Sequence, residues 1–205
     1  MNYLAHFHLA GDNDGLMVGA LLGDFIKGPL TAERTETLAA HKDIVLGVKL
    51  HRKIDAYVDH LPALLTLGNQ LPVKLRRYKG ILLDLFCDYA LSHYWHQFDH
   101  RPLEQYTSSV LTRLERYRDC FNPGADIFFG RMVQYDLLNK YQQADMLNGI
   151  IHRIGQRLNR VNELDEAANH MWQLEEQWLE SFPGIYQQIE KFAQTERAAL
   201  LQSAR

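Results

Sequence analysis

The sequence predicts an all-α fold, a single-domain helical bundle over residues 1–205 with roughly eight helices. Apolar residues recur with the helical period along almost the whole chain. No stretch of convincing length shows the alternation that is typical of a strand. No linker rich in proline, glycine or serine divides the chain. These observations favour one bundle with short connections over two small domains.

The first predicted helix spans residues 14–27. Its small residues, Gly19 and Gly23 among them, form a face suited to close helix packing, and Gly28-Pro29 ends the helix. Residues 33–60 hold one or two helices, which stop before a Leu-Pro pair. The apolar stripe of this segment is interrupted by polar residues, and it is therefore the first place to look for chemistry.

The remaining helices follow in order along the chain. A short helix or turn comes first, and the long helix after it carries further acidic residues. Proline and glycine mark later boundaries, as in Asn122-Pro123-Gly124 and Pro183-Gly184. The predicted ranges are 63–71, 73–98, 103–120, 126–140, 143–159, 162–181 and about 185–202.

Composition and charge exclude several classes of protein. The net charge of -3 argues against a general nucleic-acid binder. Cys87 and Cys120 form no disulfide framework, and as core thiols they fit a reducing cytosol. The N-terminus has no basic region followed by a long apolar run, so it predicts no signal peptide. No stretch approaches the roughly 20 apolar residues of a membrane span, and we expect a cytoplasmic protein.

A histidine and an aspartate lie within one apolar stripe of the segment 44–58. Helical spacing places Ile44, Val48, His51, Asp55 and Val58 on one face. His51 and Asp55 are one turn apart, and this spacing lets two side chains reach one ion. The stripe therefore suggests half of a metal site.

A second stripe, in residues 81–95, carries two carboxylates. The same spacing selects Ile81, Asp84, Asp88, Leu91 and Trp95. Two buried carboxylates one turn apart repel each other and need a cation or a proton between them. The second stripe therefore matches the first in ligand type.

Structural roles remain open for each of these residues. A single histidine on an apolar face, such as His51, is more often a hydrogen-bonded core residue than a metal ligand. Asp84 and Asp88 could instead pair with Arg52 or Lys53 in an ion network. If they are ligands, carboxylates and imidazoles without thiolates suit Mn²⁺, Mg²⁺ or Fe²⁺ better than a structural zinc. Such a set is typical of a metal-dependent phosphate-ester hydrolase.

Several longer blocks of sequence resemble one known family. Taken together and in this order, they resemble the acyl carrier protein phosphodiesterase family over nearly the whole chain. Weaker matches continue at Leu147-Asn148-Gly149 with Arg153 and at Phe182-Pro183. The four main blocks are MNYLAHFHLA from Met1, LLGDFIKG from Leu21, HRKID from His51 with Asp59 after it, and Leu83-Asp84 through Asp88 to Leu91, Ser92 and Trp95.

The resemblance implies a fold, an activity and a partner. The family is similar to the HD-type metal phosphohydrolases, so the bundle is expected to be HD-like. The implied reaction removes 4′-phosphopantetheine from the serine of holo-acyl carrier protein and leaves the apo-carrier, by attack of a metal-activated water. The implied cofactor is a divalent cation, Mn²⁺ or Mg²⁺, and Fe²⁺ also suits the ligands. The implied partner is the holo form of acyl carrier protein.

The resemblance also implies a ligand set. Asp24 is expected to be essential to the metal site and to catalysis. His6, His51, Asp55 and Asp84 are expected to complete the set. All five lie in the blocks that carry the resemblance.

Two positions leave an assignment open. His6 and His8 are two residues apart, so in a helix only one of them points at the site, and we favour His6. Relatives often carry histidine directly after the second acid of the fourth block, whereas this chain has Tyr89. If that histidine serves catalysis in relatives, its role shifts here, for example to His93, or the activity differs.

Proton transfer and charge neutralisation need further residues. Asp88, with Asp55 as the alternative, is the candidate to accept the proton of the attacking water. Lys27, Arg52 and Arg153 are the candidates to neutralise the phosphate oxygens. The structural alternative for each cation is a solvated surface charge.

A basic run ahead of the acid-bearing helix is the candidate surface for the acidic carrier. It consists of Lys74, Arg76, Arg77 and Lys79, and positive charge there opposes the helix dipole. Two rival functions remain open: a metal phosphohydrolase of a nucleotide or another small phosphoester, and a non-catalytic helical module that binds the carrier. The oligomeric state is also left open.

Overall fold

The computed structural model describes residues 1–38, 41–158 and 162–203, and within these ranges it confirms the all-α class. The described residues form eleven α-helices and four short 3₁₀ helices, and none of them lies in a strand. No helix in these ranges is long and apolar enough to cross a bilayer. The α-helices are α1 (Tyr3–Ala10), α2 (Asp14–Leu22), α3 (Lys42–Val58), α4 (Pro62–Gly68), α5 (Lys79–His93), α6 (Leu103–Glu115), α7 (Pro123–Gln134), α8 (Leu137–Lys140), α9 (Ala144–Arg157), α10 (Leu164–Gln173) and α11 (Glu175–Ser203). The 3₁₀ helices are Glu33–Leu38, Val73–Tyr78, Trp95–Gln97 and Arg118–Cys120.

Helix α1 lies at the centre of the bundle. Leu4, Ala5, Phe7 and Ala10 are completely buried, and the helix contacts α2, α3, α5 and α11. Burial of a large apolar side chain stabilises the fold by about 1.5–3 kcal/mol. Tertiary packing therefore maintains an eight-residue helix that would be too short to form alone.

Helices α2 and α3 form the most closely packed pair of the bundle. A Cβ atom added to Gly19 would lie 2.3 Å from the carbonyl oxygen of Ile44 and 2.5 Å from Cα of Gly47. Only glycine allows this approach of two backbones. The predicted small face of the first helix is therefore its contact with α3.

The C-terminal boundaries differ from the prediction. The expected break at Pro183-Gly184 is wrong, because α11 continues through Pro183 from Glu175 to Ser203. Proline in a helix removes one hydrogen bond and costs about 3 kcal/mol. Phe182 and Tyr186 on the same helix are completely buried, and their packing offsets this cost. The expected helix 162–181 is instead divided near Leu174, where α10 ends and α11 begins.

Candidate active site

Side chains from α1 and α3 converge on one point. His6 Nε2 lies 3.0 Å from Asp55 Oδ1, and His51 Nε2 lies 3.1 Å from Asp55 Oδ2. The two imidazole rings stack with their centroids 4.0 Å apart. One donor atom from each of the three residues lies within 4.8 Å of the others. We call His6, His51 and Asp55 the His-His-Asp cluster.

Gly23 positions the imidazole of His51. A Cβ atom at Gly23 would lie 2.3 Å from His51 Cγ and 2.7 Å from its Nδ1. The ring of His51 therefore occupies the space that any larger residue at position 23 would need. Gly19 in α2 thus serves helix packing, and Gly23, the residue that follows α2, supports the cluster.

The protonation of the cluster suits metal binding. Burial, and next the neighbouring His51, lower the pKa of His6 to about 4, so its imidazole is neutral at pH 7. Partial burial alone would raise the pKa of Asp55, but hydrogen bonds from His51 and His6 hold it well below its usual range. Asp55 is therefore ionised beside at least one neutral imidazole. These are the forms that bind divalent cations.

The donor geometry also fits a cation. His6 and His51 are buried, with exposed fractions of 1% and 3%. Their Nδ1 atoms are buried and have no hydrogen-bond partner among the described residues. Both rings therefore make their polar contacts through Nε2, His6 with Asp55 and His51 with Asp55 and Asp24. Donors about 2.1 Å from one ion lie about 3–4 Å apart, close to the separation found in the cluster.

Two further carboxylates surround the cluster. Asp24 Oδ1, in the loop after α2, lies 3.7 Å from His51 Nε2. Asp84 Oδ1, on α5, accepts a hydrogen bond of 2.7 Å from the α-amino group of Met1, which also lies 3.3 Å from Asp55 Oδ1. Asp24 and Asp84 have exposed side-chain fractions of 47% and 45%. The imidazoles of the site are therefore buried, whereas these two carboxylates are exposed to solvent. We call Asp24 and Asp84 the carboxylate rim.

The α-amino group of Met1 contributes a positive charge to this rim. Burial alone would lower its pKa, but the charges of Asp84 and Asp55 raise it to about 11. Burial in turn raises the pKa of Asp84, against the effect of the ammonium group. Met1 is a contact that the sequence analysis missed, since no side-chain pattern indicates a terminal amine.

Asp88 has a structural contact in addition to its predicted catalytic role. Its oxygens accept hydrogen bonds of 2.8 Å and 3.1 Å from the backbone N–H groups of Leu4 and Ala5, at the start of α1. Its side chain is completely buried, and burial raises its pKa to about 7. Asp88 therefore supplies the N-terminal cap of the helix that carries His6.

His8 lies on a different face of α1 from His6. Its Nδ1 lies 2.8 Å from the hydroxyl oxygen of Tyr186 on α11. The structure thus brings only one of the two N-terminal histidines into the cluster, as the helical spacing requires.

The predicted phosphate-binding cations lie in different surroundings. Arg52 donates a 2.8 Å hydrogen bond to the carbonyl of Gly28 and another bond to that of Ile26, so it holds the loop that carries Asp24. Lys27 is an exposed residue of that loop and also interacts within the protein. Arg153 is exposed on α9, where it lines a cavity.

The basic run is largely engaged by contacts within the chain. Lys74 Nζ lies 2.8 Å from Glu166, and Arg77 forms an ion pair with Glu163. Arg76 donates hydrogen bonds to the backbone carbonyls of Asn69 and Leu71, and Lys79 Nζ lies 3.5 Å from the side-chain oxygen of Asn69. The run still carries positive charge on an exposed surface, but two acids compensate part of it.

Tyr89, the departure from the family pattern, points away from the cluster. Its hydroxyl group donates a hydrogen bond to Glu175 on α11. Its ring packs edge-on against Trp172, with centroids 5.3 Å apart. His93, the alternative considered for that role, is exposed in the last turn of α5.

Comparison with known proteins identifies one family. Residues 1–189 match the family described as acyl carrier protein phosphodiesterase. A protein of that name from Serratia proteamaculans is 25% identical over 193 residues, covering 92% of this chain and 97% of its own. A protein of the same name from Enterobacter sp. is 28% identical and covers 82% of this chain and 84% of its own. Another, from Escherichia coli, is 27% identical and covers 94% of this chain and 100% of its own. No solved structure matches the chain.

Proposed function

The chain belongs to the acyl carrier protein phosphodiesterase family, and from this membership we propose that it hydrolyses the phosphodiester between 4′-phosphopantetheine and the serine of holo-acyl carrier protein. The products are apo-carrier and the free phosphopantetheine arm. The observation that carries the proposal is the His-His-Asp cluster, whose donors lie within 4.8 Å of one another beneath an open carboxylate rim. Such a group of ligands can hold a divalent cation, and a bound cation can activate the water that hydrolyses a phosphodiester.

We propose that His6, His51 and Asp55 hold the cation, with Asp24 and Asp84 beside it. Two imidazoles and carboxylates without thiolates favour Mn²⁺ or Mg²⁺, and Fe²⁺ is compatible. When bound, the cation lowers the pKa of a water molecule and withdraws charge from the phosphoryl oxygens.

The residues of the chain divide the remaining tasks by position. Burial lowers the pKa of His6 to about 4, so its imidazole is neutral at pH 7 and does not have to lose a proton before it binds a cation. Asp24 lies outside the tightest group of donors and is the most exposed carboxylate of the rim, at 47%. We therefore assign the proton of the attacking water to an Asp24 oxygen. This replaces the expected acceptor Asp88, whose two oxygens cap α1, and the alternative Asp55, which is a ligand in this proposal. Arg52 positions Asp24 by holding its loop.

Intact-mass analysis of the carrier tests this function. The purified protein is incubated with holo-acyl carrier protein and Mn²⁺, with and without chelator. We expect a metal-dependent loss of the phosphopantetheine mass, and we expect Asp24→Ala to abolish it. Asp119→Ala, at an exposed aspartate of the 3₁₀ helix Arg118–Cys120, is the matched control.

An unchanged carrier with Mn²⁺, Mg²⁺ and Fe²⁺ would exclude the proposed reaction for this chain. Hydrolysis of small phosphodiesters or nucleotides in the same preparation would then support the rival hydrolase. Binding of the carrier without hydrolysis or metal uptake would support the non-catalytic module.

A further inference from the structure

A cavity next to the candidate active site is lined by apolar, aromatic and cationic side chains. Its volume is about 460 Å³, and its walls come from α1, α5, α7, α8 and α9 and the segments beside them. The apolar part includes Leu85, Phe128, Ile150 and Ile154. This volume and mixed lining are typical of pockets that bind small organic groups, which range over about 300–1,000 Å³.

The cavity shares a wall with the active site. Tyr3 lines it, and burial together with the charge of nearby Asp24 raises the pKa of the Tyr3 phenol. Asn2 also lines it and donates a 3.0 Å hydrogen bond to the hydroxyl oxygen of the buried Tyr141. Met1, the residue before Asn2, contacts Asp55 and Asp84. The two residues that line this side of the cavity, Asn2 and Tyr3, thus adjoin Met1 and Asp24 of the candidate active site.

Three arginines surround the cavity without an acidic partner. Arg131, Arg153 and Arg157 are exposed and line it. Their side chains form no hydrogen bond or ion pair with any other residue in the described part of the chain. Lys74 and Arg77 of the basic run, in contrast, each pair with a glutamate. The cavity therefore carries positive charge that no acidic side chain of the described residues pairs with.

We propose that the cavity binds the pantetheine arm of the substrate and that its three arginines contact the acidic surface of the carrier. The proposal rests on the proposed function, since the arm and the carrier are the two parts of the substrate that the scissile phosphodiester joins. The arm is an aliphatic chain with amide groups, which matches apolar walls with a few phenol and amide groups. The carrier is a small acidic helical protein, which matches unpaired guanidinium groups in charge.

Binding measured without metal separates the two parts of the proposal. Fluorescently labelled apo-carrier and holo-carrier are titrated with the protein in chelator, and fluorescence polarisation reports the two affinities. The wild type is expected to bind holo-carrier more tightly than apo-carrier. Ile154→Trp fills the cavity and is expected to remove this preference while leaving the affinity for apo-carrier within about twofold, since the rim is unchanged.

The arginines are tested by a double variant. Arg131→Ala/Arg153→Ala is expected to weaken the binding of both carrier forms by about fivefold to thirtyfold and to reduce the dependence on salt. The matched controls are Arg116→Ala, at an exposed arginine after α6 that lines no part of the cavity, and Ile127→Trp, at an exposed position of α7. Both controls are expected to match the wild type, and circular dichroism checks that every variant is folded.

Three outcomes would overturn the proposal. Retention of the holo preference in Ile154→Trp would exclude the cavity as the site of the arm. Unchanged binding in the double arginine variant, with weakened binding in Lys74→Ala/Arg77→Ala, would place the carrier on the basic run. Equal binding of apo- and holo-carrier by the wild type would show that the arm makes no contact.

The carrier mass assay keeps this proposal distinct from the proposed function. Hydrolysis by the wild type with an unaltered preference in Ile154→Trp would overturn the cavity proposal and leave the function intact. Absence of hydrolysis with a holo preference that Ile154→Trp removes would support the cavity as a binding site and exclude hydrolysis of the carrier.

Discussion

Replacement of Gly23 by alanine is expected to damage the candidate active site through the imidazole of His51. The added Cβ atom would lie 2.3 Å from His51 Cγ, 2.4 Å from Cδ2 and 2.7 Å from Nδ1, so the ring has to move. The backbone at Gly23 is helical, with φ -51° and ψ -38°, a conformation that alanine adopts readily. The entire penalty therefore arises from contact with His51.

The magnitude follows from two opposing effects. Excess volume in a packed core costs about 1–3 kcal/mol. Alanine in place of a helical glycine stabilises by about 0.5–1 kcal/mol. We expect a net loss of about 0–2.5 kcal/mol in the free energy of unfolding. Displacement of a ligand ring is expected to lower the affinity for Mn²⁺ by about tenfold to a hundredfold, as loss of an orienting neighbour does in other metal sites.

Urea unfolding in chelator measures the change in the free energy of unfolding. Calorimetric titration of the folded protein with Mn²⁺ measures the change in affinity for the ion. Gly184→Ala in α11 is the matched control, because a Cβ atom there meets nothing within 4 Å. The control is expected to bind Mn²⁺ like the wild type and to be at least as stable. If Gly23→Ala bound Mn²⁺ with wild-type affinity, His51 would not be a ligand in the arrangement described.

Three further predictions concern the cluster, the cap and the longest helix. Mn²⁺ at a hundred times its dissociation constant should stabilise the wild type by about 2.7 kcal/mol in thermal unfolding, and Asp55→Asn should lose this gain; an equal gain in both would exclude Asp55 as a ligand. Burial raises the pKa of Asp88 to about 7 in the folded protein, above its unfolded value of about 3.9, so protonation favours the native state. This contribution is complete below the unfolded pKa and disappears as pH rises toward 7, so Asp88→Asn should flatten the stability profile over that window, whereas parallel profiles would contradict it. Pro183→Ala should raise the free energy of unfolding by up to about 3 kcal/mol in urea, because it restores a donor within α11, and a loss of stability would show that the proline ring itself packs favourably.

The helical period was sufficient to predict the class of the fold but not all of its boundaries. Helix α1 was not predicted as an element, because six of its eight residues are buried and its hydrophobic pattern has no polar face. It also lacks a local N-terminal cap, since Asn2 makes no side-chain hydrogen bond there and Asp88 serves instead. Pro183 predicted a helix end that does not occur, because the packing of the buried side chains of Phe182 and Tyr186 offsets the cost of a proline within α11.

The candidate site was accessible to sequence reasoning only in part. His51 and Asp55 interrupt one apolar stripe, and the structure places them one turn apart with Nε2 and Oδ2 separated by 3.1 Å. Asp24 lies in a loop after α2, where no periodicity indicates it, and only the resemblance pointed to it. Gly23 was noted for helix packing, but its contact with His51 requires coordinates. Likewise, only coordinates show that no acidic side chain of the described residues pairs with Arg131 or Arg153.

The remote cap of α1 has a consequence for the order in which the chain matures. During synthesis His6 emerges early, but the carboxylate that caps its helix comes 83 residues after Ala5. At about 5–20 residues per second, the ribosome needs several seconds to deliver it. We therefore expect the helix that carries His6 to lack its cap until Asp88 has been synthesised. The proposed cation is accordingly expected to bind only after α5 has been synthesised.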